Sequence, residues 1–161
     1  MPAELPPSPR LLIAFDRAGV RWLLIGRQAL VHYGAPVQTM DYDVWADPDS
    51  ENVKRLVEVA QENGFYDSLG TWEVAGRELL TIYQEPHKMD IFLIPRFTNL
   101  DGEPIDFIQA YGRRVVVQVE GDPFHPSLPS LEDLRRLKRM RESEKDHEDL
   151  RYIRLLQERT K

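Results

Sequence analysis

The sequence predicts an α/β (α+β) domain: a mixed, largely antiparallel sheet with flanking helices on one side and a C-terminal helical pair. Three observations carry that expectation. Residues 20–25, 79–83 and 88–94 are short apolar runs bounded by Gly, Pro or charged residues, the pattern of buried strands. The middle links, such as Glu85-Pro86-His87, are too short for a crossover helix, so the strands they join run antiparallel. Leucines spaced by three from Leu131, and a second apolar stripe from Leu150, close the chain with two helices. With 161 residues and 42% hydrophobic content, one domain spanning the whole chain is expected, with 130–161 as its closing helices.

The elements follow in order. The proline-rich start, residues 1–8, is expected to be flexible. Ser8 is placed to cap a helix, Pro9 fits its first turn, and Leu11, Leu12 and Phe15 form its apolar face before Gly19. Residues 20–25 read as a central strand covered on both faces, because Trp22-Leu23-Leu24-Ile25 is apolar throughout. Gly26 ends that strand, 28–33 form a short helix closed by Gly34, and a second strand begins around Asp41-Tyr42-Asp43. Residues 50–63 make a helix capped by Ser50, with Val53, Leu56, Val57 and Ala60 as its stripe. Strands at 71–75, 79–83 and 88–94 then form a meander. Asp101-Gly102 marks a turn, 105–111 a short helix, and 113–119 a strand with Val115-Val116-Val117 at its core. Ser130 caps the first closing helix, and Glu142-Ser143-Glu144 breaks it from a second over 145–156.

Composition narrows the function. The absence of cysteine excludes disulfides and thiolate metal sites and suits a reducing, cytoplasmic setting. No run approaches the ~18 apolar residues of a membrane span, and the N-terminus lacks a signal-peptide pattern. A net charge of -6 argues against general affinity for nucleic acid backbones, although the basic strip from Arg135 to Arg141 leaves an RNA end open as a partner. The four histidines are too scattered to propose a zinc site.

The chemistry concentrates in three acids. Residues i and i+2 of a strand share a face, so Asp41 and Asp43 are expected side by side, where they repel unless a cation or proton lies between them. Asp90 interrupts an apolar strand, which is costly unless it is paired or bound to a cation. If their strands are neighbours, the three carboxylates make an oxygen-rich pocket suited to Mg²⁺ and substrate phosphates. The alternative is that Asp41 and Asp43 cap a turn while Asp90 pairs with Lys88 or Arg96. Gly26 likewise reads either as a phosphate-approaching turn or as a plain tight turn.

Together, Leu24-Ile25-Gly26-Arg27-Gln28-Ala29, Gly34, Thr39-Met40-Asp41-Tyr42-Asp43 and Met89-Asp90-Ile91-Phe92 resemble the nucleotidyltransferase superfamily that includes DNA polymerase beta. Within it, the likeness is to small bacterial proteins related to AbiEii-type toxins and to aminoglycoside or lincosamide nucleotidyltransferases. It spans roughly residues 10 to 157, including closing helices that carry Leu134-Arg135-Arg136-Leu137-Lys138 and Lys145-Asp146-His147-Glu148-Asp149-Leu150. The resemblance implies that Gly26 and Arg27 form the turn receiving the nucleoside triphosphate (NTP), with Thr39 and Lys138 also nucleotide-binding. It implies catalytic, metal-binding roles for Asp41, Asp43 and Asp90, the last as base. The implied reaction uses Mg²⁺ (or Mn²⁺) and an NTP such as ATP to modify an acceptor hydroxyl on a protein, an RNA end or a small molecule. A cognate antitoxin or partner protein is also implied. Two departures stand out: Arg27 replaces the family's usual Gly or Ser, and Val37 lies where an Arg commonly precedes the Thr. They favour the alternative of a catalytically silent nucleotide-binding or partner-binding module.

Overall fold

The protein is described by a computed structural model over residues 4–159. Its main sheet holds β1 (Trp22–Ile25), β2 (Tyr42–Ala46), β3 (Tyr66–Asp67), β4 (Leu79–Gln84) and β5 (His87–Phe92), in the spatial order β1-β2-β5-β4-β3. Only β2 and β5 pair in parallel; the other neighbours are antiparallel. β1 lies at the edge of the sheet rather than at its centre as expected, yet all four of its residues are buried, because both of its faces are covered.

Alternation assigns the two faces. Trp22, Leu24, Val44, Ala46, Leu80 and Ile91 join a core with Leu11, Leu12 and Phe15 of α1 (Pro7–Arg17) and Leu56, Val59 and Ala60 of α3 (Ser50–Glu62). The opposite face presents Leu23, Ile25 and Trp45 to a smaller core. The hairpin of β6 (Arg96–Thr98) and β7 (Pro104–Asp106), together with α4 (Phe107–Gly112), covers it, so the helices do not all lie on one side. Trp45 anchors that cover, with ring centroids 4.9 Å from Phe97 and 5.3 Å from Phe107, and its Nε1 donates to the Ile94 carbonyl at 2.8 Å.

The closing helices are α5 (Leu131–Lys138) and α6 (Glu144–Arg159). Ser130 Oγ accepts the Asp133 amide at 3.1 Å, the cap its position predicts. Ser143 accepts the Asp146 amide at 3.1 Å and donates to the Asp146 carboxylate at 2.6 Å, which starts α6 one residue earlier than expected. Helix α5 straddles both cores, giving Leu134 to the larger and Leu137 to the smaller.

Several expectations are corrected. Helix α1 begins at Pro7, and Ser8, only 2% exposed, is packed inside it rather than capping it. Of the start expected to be flexible, residues 1–3 lie outside the described residues. Helix α2 (Gly26–His32) starts two residues before its predicted bound. Asp49, not Ser50, is the N-cap of α3, and Asn52 and Val59 are buried where Val53 and Val57 were expected. Residues 71–75 form a loop rather than a strand. The buried Asp67 gathers it by accepting from the Leu69 amide (3.2 Å), the Trp72 amide (2.9 Å) and the Arg77 guanidinium (3.0 and 2.9 Å). Those bonds hold Trp72 at φ 55, a left-handed conformation no strand permits. Ile105 belongs to β7, so α4 starts at Phe107. Of the strand expected at 113–119, only β8 (Val115–Val116) forms; it is exposed and pairs with β9 (Ser127–Leu128). A β-branched run there signals extended backbone without burial.

Candidate functional site

Strand register assembles the site. Parallel pairing sets Asp43 of β2 opposite Asp90 of β5, and antiparallel pairing sets Asp90 opposite Thr81 of β4 and Asp43 opposite Ile25 of β1. Opposed residues share a face, so the carboxylates stand together on the face that carries Trp45. They border a cleft of about 560 Å³ that is also lined by Lys138, Arg141, Lys145 and Asp146, the last within 3.6 Å of the Arg141 guanidinium. Phe92, Phe97 and Leu137 supply its apolar lining. A larger cavity of about 800 Å³ is lined by Val53, Val57, Val74 and Leu93 and contains none of the three acids, which gather at the smaller cleft.

Each acid is held differently. Thr81 donates its hydroxyl to Asp90 Oδ1 at 2.6 Å, which fixes that carboxylate and leaves Oδ2 toward Lys88, whose Nζ is 3.7 Å away. The Lys88 partner left open by the sequence is thus present as a long contact, whereas Arg96 pairs with Asp106. Asp41 lies just outside β2 and is exposed, its amide donating to Thr39 Oγ1 at 3.3 Å. Burial pushes the Asp43 carboxyl above its usual range; the neighbouring Asp90 and Asp41 push it further, against opposing pulls from Lys138 and Lys88.

The turn beside it is equally constrained. Gly26 sits at φ +70, and a Cβ built there would lie 2.8 Å from Asp43 Oδ2, so glycine is required for both backbone and space. Arg27 points elsewhere. Its Nε is 3.2 Å from Asp149 Oδ1 and its Nη2 is 3.5 Å from Glu148 Oε2, both on α6, with the side chain 15% exposed. The guanidinium is neither wedged into the turn nor directed at the cleft. Lys138 does border the cleft, with Nζ 2.6 Å from Asp149 Oδ2. Thr39 shapes the loop before β2, its carbonyl accepting from Gln28 Nε2 at 3.1 Å, and Val37 packs against the larger core.

The structure thus brings Gly26, Asp41, Asp43, Asp90 and Lys138 to one cleft and leaves Thr39 and the Arg27 side chain at its margin. Among the described residues, no three Asp, Glu, His or Cys side chains gather tightly enough to hold an ion unaided. A two-carboxylate face open to substrate still fits Mg²⁺, which is usually bound by one or two carboxylates, waters and substrate phosphates rather than a closed protein cage. Thr81 and Asp149 escaped the sequence reading. Thr81 offered only a polar residue in a strand, and Asp149 one more acid on a charged helix.

No protein-family model matches the chain, and no curated protein sequence matches it. Solved structures do. A lincosamide antibiotic adenylyltransferase, LnuA, with lincomycin bound superposes with a TM-score of 0.62 at 16% identity, covering 93% of this chain and 96% of that one. A putative nucleotidyltransferase from Thermotoga maritima gives 0.54 at 17% identity over 99% and 93%. The antibiotic-resistance factor ANT(2'')-Ia gives 0.58 at 14% identity over 96% and 89%. The chain therefore has a nucleotidyltransferase-like fold, and at these identities the likeness is one of fold.

Proposed function

We propose that this chain is a nucleotidyltransferase that moves a nucleoside monophosphate from an NTP to an acceptor hydroxyl in a Mg²⁺- or Mn²⁺-dependent reaction, releasing pyrophosphate. The observation that carries this reading is the in-register Asp43–Asp90 pair, bordering a cleft that Lys138, Arg141 and Lys145 also line. Asp43 and Asp90 would hold the metal together with substrate phosphates, with Asp41 at the exposed edge of the cleft; the metal would neutralise phosphate charge and polarise the α-phosphate. Lys138 faces the phosphates from α5, and the Gly26 turn lets backbone come close to them. Thr81 holds Asp90 so that Oδ2 takes the acceptor proton. The acceptor oxygen then bonds to the α-phosphorus, the α–β bridging P–O bond breaks, and pyrophosphate leaves with the electron pair. The withdrawal of Arg27 onto α6 removes the bulk that favoured a silent module. A lincosamide adenylyltransferase among the structural neighbours supports a small-molecule acceptor, beside a protein side chain or an RNA end.

The test is incubation of the protein with α-labelled NTPs, Mg²⁺ and a cell lysate. Labelled product is expected with the wild type and not with Asp43→Asn; equal labelling by both would remove Asp43 from the reaction.

A further inference from the structure

We propose that Asp149 is a positioning residue for nucleotide binding, holding the Lys138 ammonium at the cleft wall and drawing the Arg27 guanidinium off the Gly26 turn. The inference rests on the reading of the cleft as a nucleotide site. Asp149 is fully buried, and its two carboxylate oxygens face different cations: Oδ2 lies 2.6 Å from Lys138 Nζ and Oδ1 lies 3.2 Å from Arg27 Nε. A buried carboxylate is retained only when paired, and here one group ties α6 to both α5 and α2.

The two contacts differ in kind. Lys138 donates a short hydrogen bond, whereas Arg27 Nε and Asp149 Oδ1 are buried without one, so the Arg27 contact is Coulombic. A lysine stem has four rotatable bonds, and fixing its ammonium beforehand spares ordering entropy when a ligand arrives. One proton is committed to Asp149, and the other two remain for phosphate oxygens. Arg27 occupies the second position of the turn, and without Asp149 its guanidinium would keep only the longer, 3.5 Å contact to the half-exposed Glu148.

Charge and positioning make opposite predictions. Replacing Asp149 by Asn adds one net positive charge beside the cleft, which by long-range electrostatics alone tightens triphosphate binding. Loss of positioning weakens it. The experiment is calorimetric titration of a non-hydrolysable ATP analogue with Mg²⁺ into the wild type, Asp149→Asn, Lys138→Met and the double variant. The expected result is a loss of about tenfold or more for Asp149→Asn. Asp149→Asn should weaken binding less in the Lys138→Met background than in the wild type, because the part of its effect that passes through Lys138 is already gone. Equal or tighter binding by Asp149→Asn, or fully additive losses, would overturn the inference. Absence of binding by the wild type would instead remove the nucleotide reading beneath it. Should Asp149→Asn not fold, the wild-type Lys138 ammonium is observed directly by ¹⁵N–¹H NMR. A slowly exchanging signal, distinct from those of surface lysines, is expected; a signal merged with theirs overturns the inference.

Discussion

Replacing Asp43 by Asn should stabilise the ligand-free protein while abolishing the nucleotidyl transfer proposed for it. Neighbouring strands lie about 4.8 Å apart, and Asp43 stands opposite Asp90. Two unit charges at that separation repel by about 1 kcal/mol in water and about 3 kcal/mol at an effective dielectric of 20. Attraction from Lys138 and Lys88 offsets part of this, so relief of about 1 kcal/mol is expected. The sign follows from the raised carboxyl. Above its folded-state pKa, Asp43 is ionised and costs stability; as pH falls toward the ordinary value of 3.8 it becomes protonated in both states and the cost fades. Urea unfolding of the wild type and Asp43→Asn, at pH 7 and again near pH 3.5, reads this directly. The variant should be more stable at pH 7 and nearly equal at the lower pH. A variant less stable by a kcal/mol at pH 7 would refute the reasoning, since it would mean that the ionised carboxylate is satisfied without a cation.

Three further outcomes are expected. Gly26→Ala forces a side chain into φ +70 and to 2.8 Å from Asp43 Oδ2, and chemical denaturation should register a loss of about 1–3 kcal/mol. Thr81→Val removes the bond that orients Asp90, so kcat should fall about tenfold with KM for NTP changed much less, as read by initial rates. Asp67→Asn breaks the charged bonds to Arg77 and should cost about 2 kcal/mol, measured by urea unfolding at pH 7. Hydrogen bonding to Arg77 holds the Asp67 carboxyl down at about 2, so its contribution persists above pH 3.8 and is lost between 3.8 and about 2.

Local signals in the sequence marked the features governed by local chemistry. Ser130 caps its helix because a hydroxyl before a helical stripe has one strong use, and Trp22 to Ile25 form a strand buried on both faces because nothing in the run is polar, although that strand lies at the edge of the sheet. Asp41, Asp43 and Asp90 stood out because acids in apolar strands demand a reason. What escaped was set by contacts remote in the chain. Residues 71–75 alternate like a strand, but the bonds of Asp67 capture them into a loop. Thr81 acquires its place only through the β4–β5 register. Arg27 stood out as a bulky replacement in the turn, and its place against α6 required knowing that Glu148 and Asp149, over a hundred residues away, pack beside it.

The most direct test of the carboxylate cleft is calorimetric titration of a non-hydrolysable NTP analogue into the wild type, once with Mg²⁺ and once with a chelator. Binding that requires Mg²⁺ and disappears in Asp43→Asn is predicted. Equally tight binding in the chelator would contradict the metal-bridged site and identify a nucleotide-binding module without transferase chemistry.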